Sequence, residues 1–133
     1  MAKDFNYRGI PLEQLLQMDE SKLGQLMTSR GRRNLKHGQD KDVMKAIDRA
    51  LEQKAHGKEP KPIRTHKRDI VILPKMVGLH FMVYKGNDFL PVVASEKMIG
   101  HYLGEFALTR KRLTHGKAGI GATKSSTAIT ARG

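Results

Sequence analysis

Residues Arg68 to Arg110 read RDIVILPKMVGLHFMVYKGNDFLPVVASEKMIGHYLGEFALTR. Two apolar runs, Ile70 to Leu73 and Leu79 to Tyr84, are followed by a third from Phe89 to Ala94, with Pro-Lys and Lys-Gly-Asn-Asp breaks between them. β-Branched and aromatic residues at this spacing predict three short strands, the last two forming a hairpin. Leu79, Phe81 and Val83 fall on one side of the second strand, and His80, Met82 and Tyr84 on the other. Pro91 cannot donate a ladder hydrogen bond, which predicts an edge position for the third strand. From Ser95 to Phe106 the pattern gives a short helical turn, opened by a capping serine and broken by Gly100 and Gly104.

The flanking chain is helical on its N-terminal side. Pro11 suits a first helical position, with Leu12, Leu15 and Leu16 on one stripe. Asp19 or Ser21 can cap a second segment carrying Leu23, Leu26 and Met27. Asp40 or Asp42 opens a longer helix in which Val43, Ala46, Ile47, Ala50 and Leu51 recur at helical spacing. Gly57 to Pro62 cannot continue a helix and reads as a linker. From Thr114 to Gly133 there are few large apolar residues and no acid, so this tail is expected to lack a core of its own and to order only on a polyanion. The fold class predicted is α+β. A helical N-terminal extension (1–60) precedes a core (61–112) built on a small, mainly antiparallel three-stranded sheet with a short helix, and an extended basic C-terminal tail (113–133) follows.

The net charge is +12 over 133 residues, and it is unevenly placed. Residues 1–60 hold 12 Lys/Arg against 9 Asp/Glu, whereas residues 61–133 hold 13 against 4. A basic half joined to a nearly balanced half suggests one phosphate-binding face on a folded body. The absence of cysteine excludes disulfides, thiolate catalysis and cysteine-based zinc sites. No apolar run approaches the ~20 residues of a membrane span, and the N-terminus lacks the apolar stretch of a secretion signal, so a cytoplasmic location is expected and no membrane partner.

Two patterns invite an enzymatic reading. His101 and Glu105 are four apart and could share a helix face as an acid–base or metal pair, but no third group lies near in sequence, and a usable site needs a convergent set. The neighbouring glycines fit better as points of close backbone approach. Gly116 to Thr123 has the glycine interval of a phosphate-binding loop, yet Ala122 stands where its lysine belongs. Neither pattern supports catalysis, cofactor or metal. The cations Arg30, Arg32, Arg33 and Lys36 crowd one short stretch without an acid, and Arg64, His66, Lys67 and Arg68 fall just before the first apolar run. Both groups call for a counter-charge such as RNA phosphate. With three Tyr, four Phe and no Trp, an extended platform for stacking bases is not expected; Phe81, Tyr84, Phe89 and Tyr102 are read as core or edge-of-core residues, and recognition should rest on phosphates, 2′-hydroxyls and RNA shape.

The central stretch resembles small-subunit ribosomal protein family nineteen. The resemblance is carried by Leu73 to Gly78, by Val83 to Gly86 leading into Phe89 to Val92, and above all by the ordered run Met98 to Arg110. Phe5 to Gly9, Leu12 to Leu16 and His115 to Ser126 look like the extensions of archaeal and eukaryotic members. One departure is Lys85-Gly86 at the hairpin tip, where the family usually has Asn-Gly. Lysine tolerates positive φ poorly, which predicts a longer loop using Gly86 and Asn87. The resemblance implies a structural constituent of the small ribosomal subunit bound to the head of its rRNA. It also implies contact with the neighbouring small-subunit protein of family thirteen, near the subunit interface and the tRNA passage; a tRNA contact through the tail stays open. The residues expected to meet RNA are Arg64, Lys67, Arg68, Lys75, Lys85, His101, Arg110, Lys111, Arg112, His115, Lys117 and Lys124, with Arg30, Arg32, Arg33 and Lys36 as a second group. The alternative from another class is a free regulatory protein that binds RNA or DNA outside the ribosome.

Overall fold

The computed structural model describes residues 3–114. The tail expected from 115 onward, with His115, Lys117 and Lys124, lies outside the described residues.

The chain opens with a two-stranded antiparallel ribbon, β1 (Asn6–Tyr7) and β2 (Ile10–Pro11). Arg8 and Gly9 both take positive φ, 52° and 81°, as a two-residue primed turn requires. Pro11 is the cap of α1 (Leu12–Gln17), where its fixed φ of −70° leads into the helix. Leu15 is buried, whereas Leu16, assigned to the same stripe by the sequence, is 55% exposed. Asp19 caps α2 (Glu20–Leu26) through the Glu20 N–H. The basic segment forms α3 (Ser29–His37), and Gly38 ends it at φ 82°. Asp40 then caps α4 (Lys41–Ala55), accepting from the N–H groups of Asp42 and Val43.

The three-stranded sheet has the order β3 (Ile63–Thr65), β4 (His80–Tyr84), β5 (Phe89–Val93). β4 and β5 pair antiparallel from Tyr84 opposite Phe89 to His80 opposite Val93, and β5 with Pro91 is an edge strand as expected. The loop between them spans 85–88 and is closed by the Lys85 N–H donating to the Asp88 carbonyl at 2.8 Å. Gly86 holds φ 108°, so the longer turn expected from Lys85-Gly86 is the one formed. β3 pairs parallel to β4, with Arg64 beside Met82.

The membership of the sheet corrects one expectation. Ile70 to Leu73 is extended and buried but is not a strand of this sheet. It is held instead by the chain after Met98: the Gly100 N–H donates to Ile72 O, the Ile72 N–H to His101 O, and the Leu103 N–H to Ile70 O, at 2.9–3.0 Å. Val71 forms an isolated antiparallel bridge with Tyr102. The place at the sheet edge goes to Ile63–Thr65, whose short buried–exposed–buried pattern sits among prolines and cations. The segment after Ser95 is also tighter than a single helix. It makes two 3₁₀ turns, Glu96–Met98 and Leu103–Phe106, and Ser95 provides no side-chain cap.

α4 lays Val43, Ile47 and Ala50 against Ile63, Phe81, Val83 and Val92 from the sheet's inner face, with Ile70 to Leu73, Met76, Leu79 and Leu103 completing one core. Each such side chain removed from water contributes about 1.5–3 kcal/mol. The helix of the N-terminal third therefore shares its core with the sheet. A smaller cluster of Leu15, Leu23 and Ile99, packed by Tyr7, Ile10 and Val77, joins the N-terminal ribbon to the same body.

Candidate nucleic-acid interface

Arg68 sits where the chain leaves β3 for the buried segment, and its guanidinium is turned inward. Nη1 donates to the Tyr84 carbonyl at 2.6 Å; Nη2 donates to the Gly104 carbonyl at 2.7 Å and also to that of Ala107. The planar fork of arginine can reach three acceptors from one position, and it ties the hairpin to the turn after Tyr102. Lys75 is likewise partnered within the fold. Its ammonium lies 3.9 Å from Glu20 and 3.8 Å from Asp48, bridging α2 and α4. His101 Nδ1 donates to the Glu105 carboxylate at 2.7 Å, the pair anticipated by spacing, and both side chains are about half exposed. No cluster of three potential metal ligands occurs among the described residues.

The other cations face solvent. Arg30, Arg33, His37 and Lys41 from α3 and the start of α4 line one groove together with Lys67, although Lys67 lies far along the chain. Asp40, through an ion pair with Lys67 at 3.7 Å, and Asp69 on the groove wall temper this charge. Arg32 and Lys36 lie on another side of α3, where Arg32 Nε donates to the Gly24 carbonyl at 3.3 Å. A second groove joins Lys85 of the hairpin loop to Arg110 and Lys111, beside Leu90 and Phe106. Arg112 is exposed just beyond it. A third is lined by Arg49, Lys58, Lys61 and Arg64, with Glu59 as its acid.

Arg64 is also surrounded by His66, which the sequence groups with it, and by Tyr84 and Phe89, which the sequence assigns to the core or its edge. Its Cζ lies 4.2 Å from the centroid of the Phe89 ring. Phe89 stands 5.3 Å from Tyr84, and His66 is 4.5 Å from Tyr84 and 5.1 Å from Phe89. Strand alternation assigned Tyr84 to the face opposite Phe81. The signal that could have located the cluster is that Tyr84 and Phe89 flank a four-residue loop and so must pair across the strands.

The family model described as ribosomal protein S19 matches residues 33–115. A small ribosomal subunit protein uS19 from Cenarchaeum symbiosum (strain A) is 45% identical over 126 residues, covering 95% of each chain. Another, from Nitrosopumilus maritimus (strain SCM1), is 46% identical over 126 residues with the same coverage. These likenesses set aside the free regulator, and they agree with a surface that offers grooves of cations. The chain belongs to the ribosomal protein S19 family, structural and non-enzymatic constituents of the small ribosomal subunit.

Proposed function

We propose that the protein holds the head region of the small-subunit rRNA by neutralising closely spaced phosphates from a rigid frame. The observation that carries this is convergence: cations distant in sequence, Arg30 and Arg33 with Lys67, and Lys85 with Arg110 and Lys111, share grooves. Mutual repulsion within such a groove is relieved when a phosphate enters, and the fold has already met the entropic cost of gathering the charges. In this reading the exposed groups, Arg30, Arg32, Arg33, Lys36, Arg64, Lys67 and Arg110 to Arg112, together with half-buried Lys85, meet RNA directly. Arg68 and Lys75 hold the frame, and His101 with Glu105 steadies the turn between Gly100 and Phe106. His115, Lys117 and Lys124 join the phosphate contacts on sequence grounds alone. The neighbouring protein of family thirteen and the vicinity of the tRNA passage belong to the same proposal.

The test is binding of the full chain to a head-domain fragment of small-subunit rRNA over a range of salt. If about six phosphates are neutralised, log affinity falls against log salt with a slope of about −4 to −5. A slope near zero removes the phosphate mechanism.

A further inference from the structure

We infer that the outer face of the three-stranded sheet carries a stacking site for an unpaired nucleobase of RNA, formed by Phe89, Tyr84 and His66 with the guanidinium of Arg64. The inference deepens the RNA-binding reading above and rests on it.

Register places the site. Arg64 lies beside Met82 on β4, Met82 is opposite Pro91, and Tyr84 is opposite Phe89. Strand alternation puts all of them on the face away from Phe81 and Val83, which are fully buried. That face is open: Arg64, His66, His80 and Pro91 are exposed, and Val93 is 49% exposed. Three aromatic rings within 5.3 Å of one another therefore form a concentrated apolar surface at one end of the sheet. Overall aromatic content is low, so this gathering is the work of the fold.

A cross-strand aromatic pair contributes to sheet stability by itself, at about 0.2–1 kcal/mol. That role accounts for Tyr84 against Phe89. It does not account for the exposed arginine laid on Phe89 at 4.2 Å. A guanidinium stacked on a ring keeps its N–H edge free and pre-oriented, so it can take a phosphate while the plane beside it takes a base. The charges around the cluster favour RNA as the occupant. Arg64 also lines the groove with Arg49, Lys58 and Lys61, and Lys85, next after Tyr84, lines the groove with Arg110 and Lys111. A strand of RNA crossing the sheet would find cations on both sides of the rings and π-faces between them, the arrangement that single-stranded nucleic acid binding requires.

The test titrates the full chain with two labelled probes, hexa-adenylate RNA and a blunt RNA duplex, for the wild type and for Phe89→Leu and Arg64→Lys. Leucine keeps apolar volume on the sheet, and lysine keeps the charge. Both variants should lose about five- to fiftyfold affinity for hexa-adenylate at fixed salt, and Phe89→Leu should do so with the salt slope unchanged and duplex affinity within about twofold. In the wild type, the ring protons of Phe89 and Tyr84 should shift upfield with hexa-adenylate and stay in place with the duplex, a readout that does not depend on either variant folding. Unchanged affinity for hexa-adenylate, or equal losses for both RNAs, would overturn the stacking site while leaving phosphate binding intact. Failure of the wild type to bind the head-domain rRNA fragment would bring down the RNA-binding reading itself, and the stacking site with it.

Discussion

Replacing Arg68 by alanine would leave the carbonyls of Tyr84, Gly104 and Ala107 without their shared donor. Hydrogen bonds to a charged group contribute about 1.5–3 kcal/mol, and they are not additive here because one side chain makes all three. We expect Arg68→Ala to lower stability by about 2–4 kcal/mol in denaturant unfolding, and Arg68→Lys, with a single nitrogen, to recover less than half. The glycines nearby differ in what restrains them. A Cβ on Gly104 would lie 2.9 Å from Arg68 Cβ and 3.0 Å from Arg68 O, and this backbone has no room to move. A Cβ on Gly100 would meet the Tyr7 hydroxyl at 2.7 Å, the far end of a side chain that can swing aside, although φ of 85° adds strain. Gly104→Ala should therefore cost about 1–3 kcal/mol by overpacking. Gly100→Ala should cost less, and adding Tyr7→Phe should return part of it. Equal losses for the two alanine variants, with no rescue by phenylalanine, would contradict this account. The sequence suggested that these glycines allow close approach; that the approach is to Arg68 and Tyr7 of the same chain needed the fold.

At the scale of elements, the segment Ile70–Leu73 shows both what the sequence makes legible and where it stops. Its four apolar residues correctly announce an extended, buried backbone, and the same reasoning locates β4, β5, the edge position of Pro91 and the helix capped by Asp40. A run buried on all sides carries no alternation, however, so nothing in it says which chain supplies its hydrogen-bond partners. One partner is a side chain. Gln39 accepts from the Val71 N–H at 2.9 Å and donates to the Val71 carbonyl at 3.4 Å, acting as a short piece of strand. We expect Gln39→Ala to cost about 1–3 kcal/mol, because Val71 is fully buried and its amide would lose its partner. Amide exchange at Val71 should accelerate in that variant more than at Phe81. β3 escapes sequence reading for the opposite reason: only Ile63 and Thr65 are buried, and three residues between Pro62 and a basic cluster give too little pattern. The interface was legible to a similar degree. Charge density identified the cations, but inward-turned Arg68 and exposed Arg64 look alike in a sequence, and the rings around Arg64 meet only through register.

Across the whole molecule, charge is separated from the frame that positions it. The buried core among the described residues ends at Ala107, while cations continue to Arg132. Removing residues 115–133 takes away Lys117, Lys124 and Arg132 and no acid. If each meets a phosphate, the salt slope for rRNA binding should become shallower by about two to three units, which filter binding at several salt concentrations would measure. The pairing of Ile70–Leu73 with residues 100–103 also bears on how the chain is made. The partners of this run are polymerised roughly thirty residues after it, a lag of about 1.5–6 s at common rates of synthesis. A released chain that ends before those partners are made carries an extended apolar strip with an unfilled edge, the kind of surface that recruits other strands. A prematurely released product that ends between Leu73 and Gly100 is thus left with an adhesive segment that, in the finished protein, is at most 2% exposed.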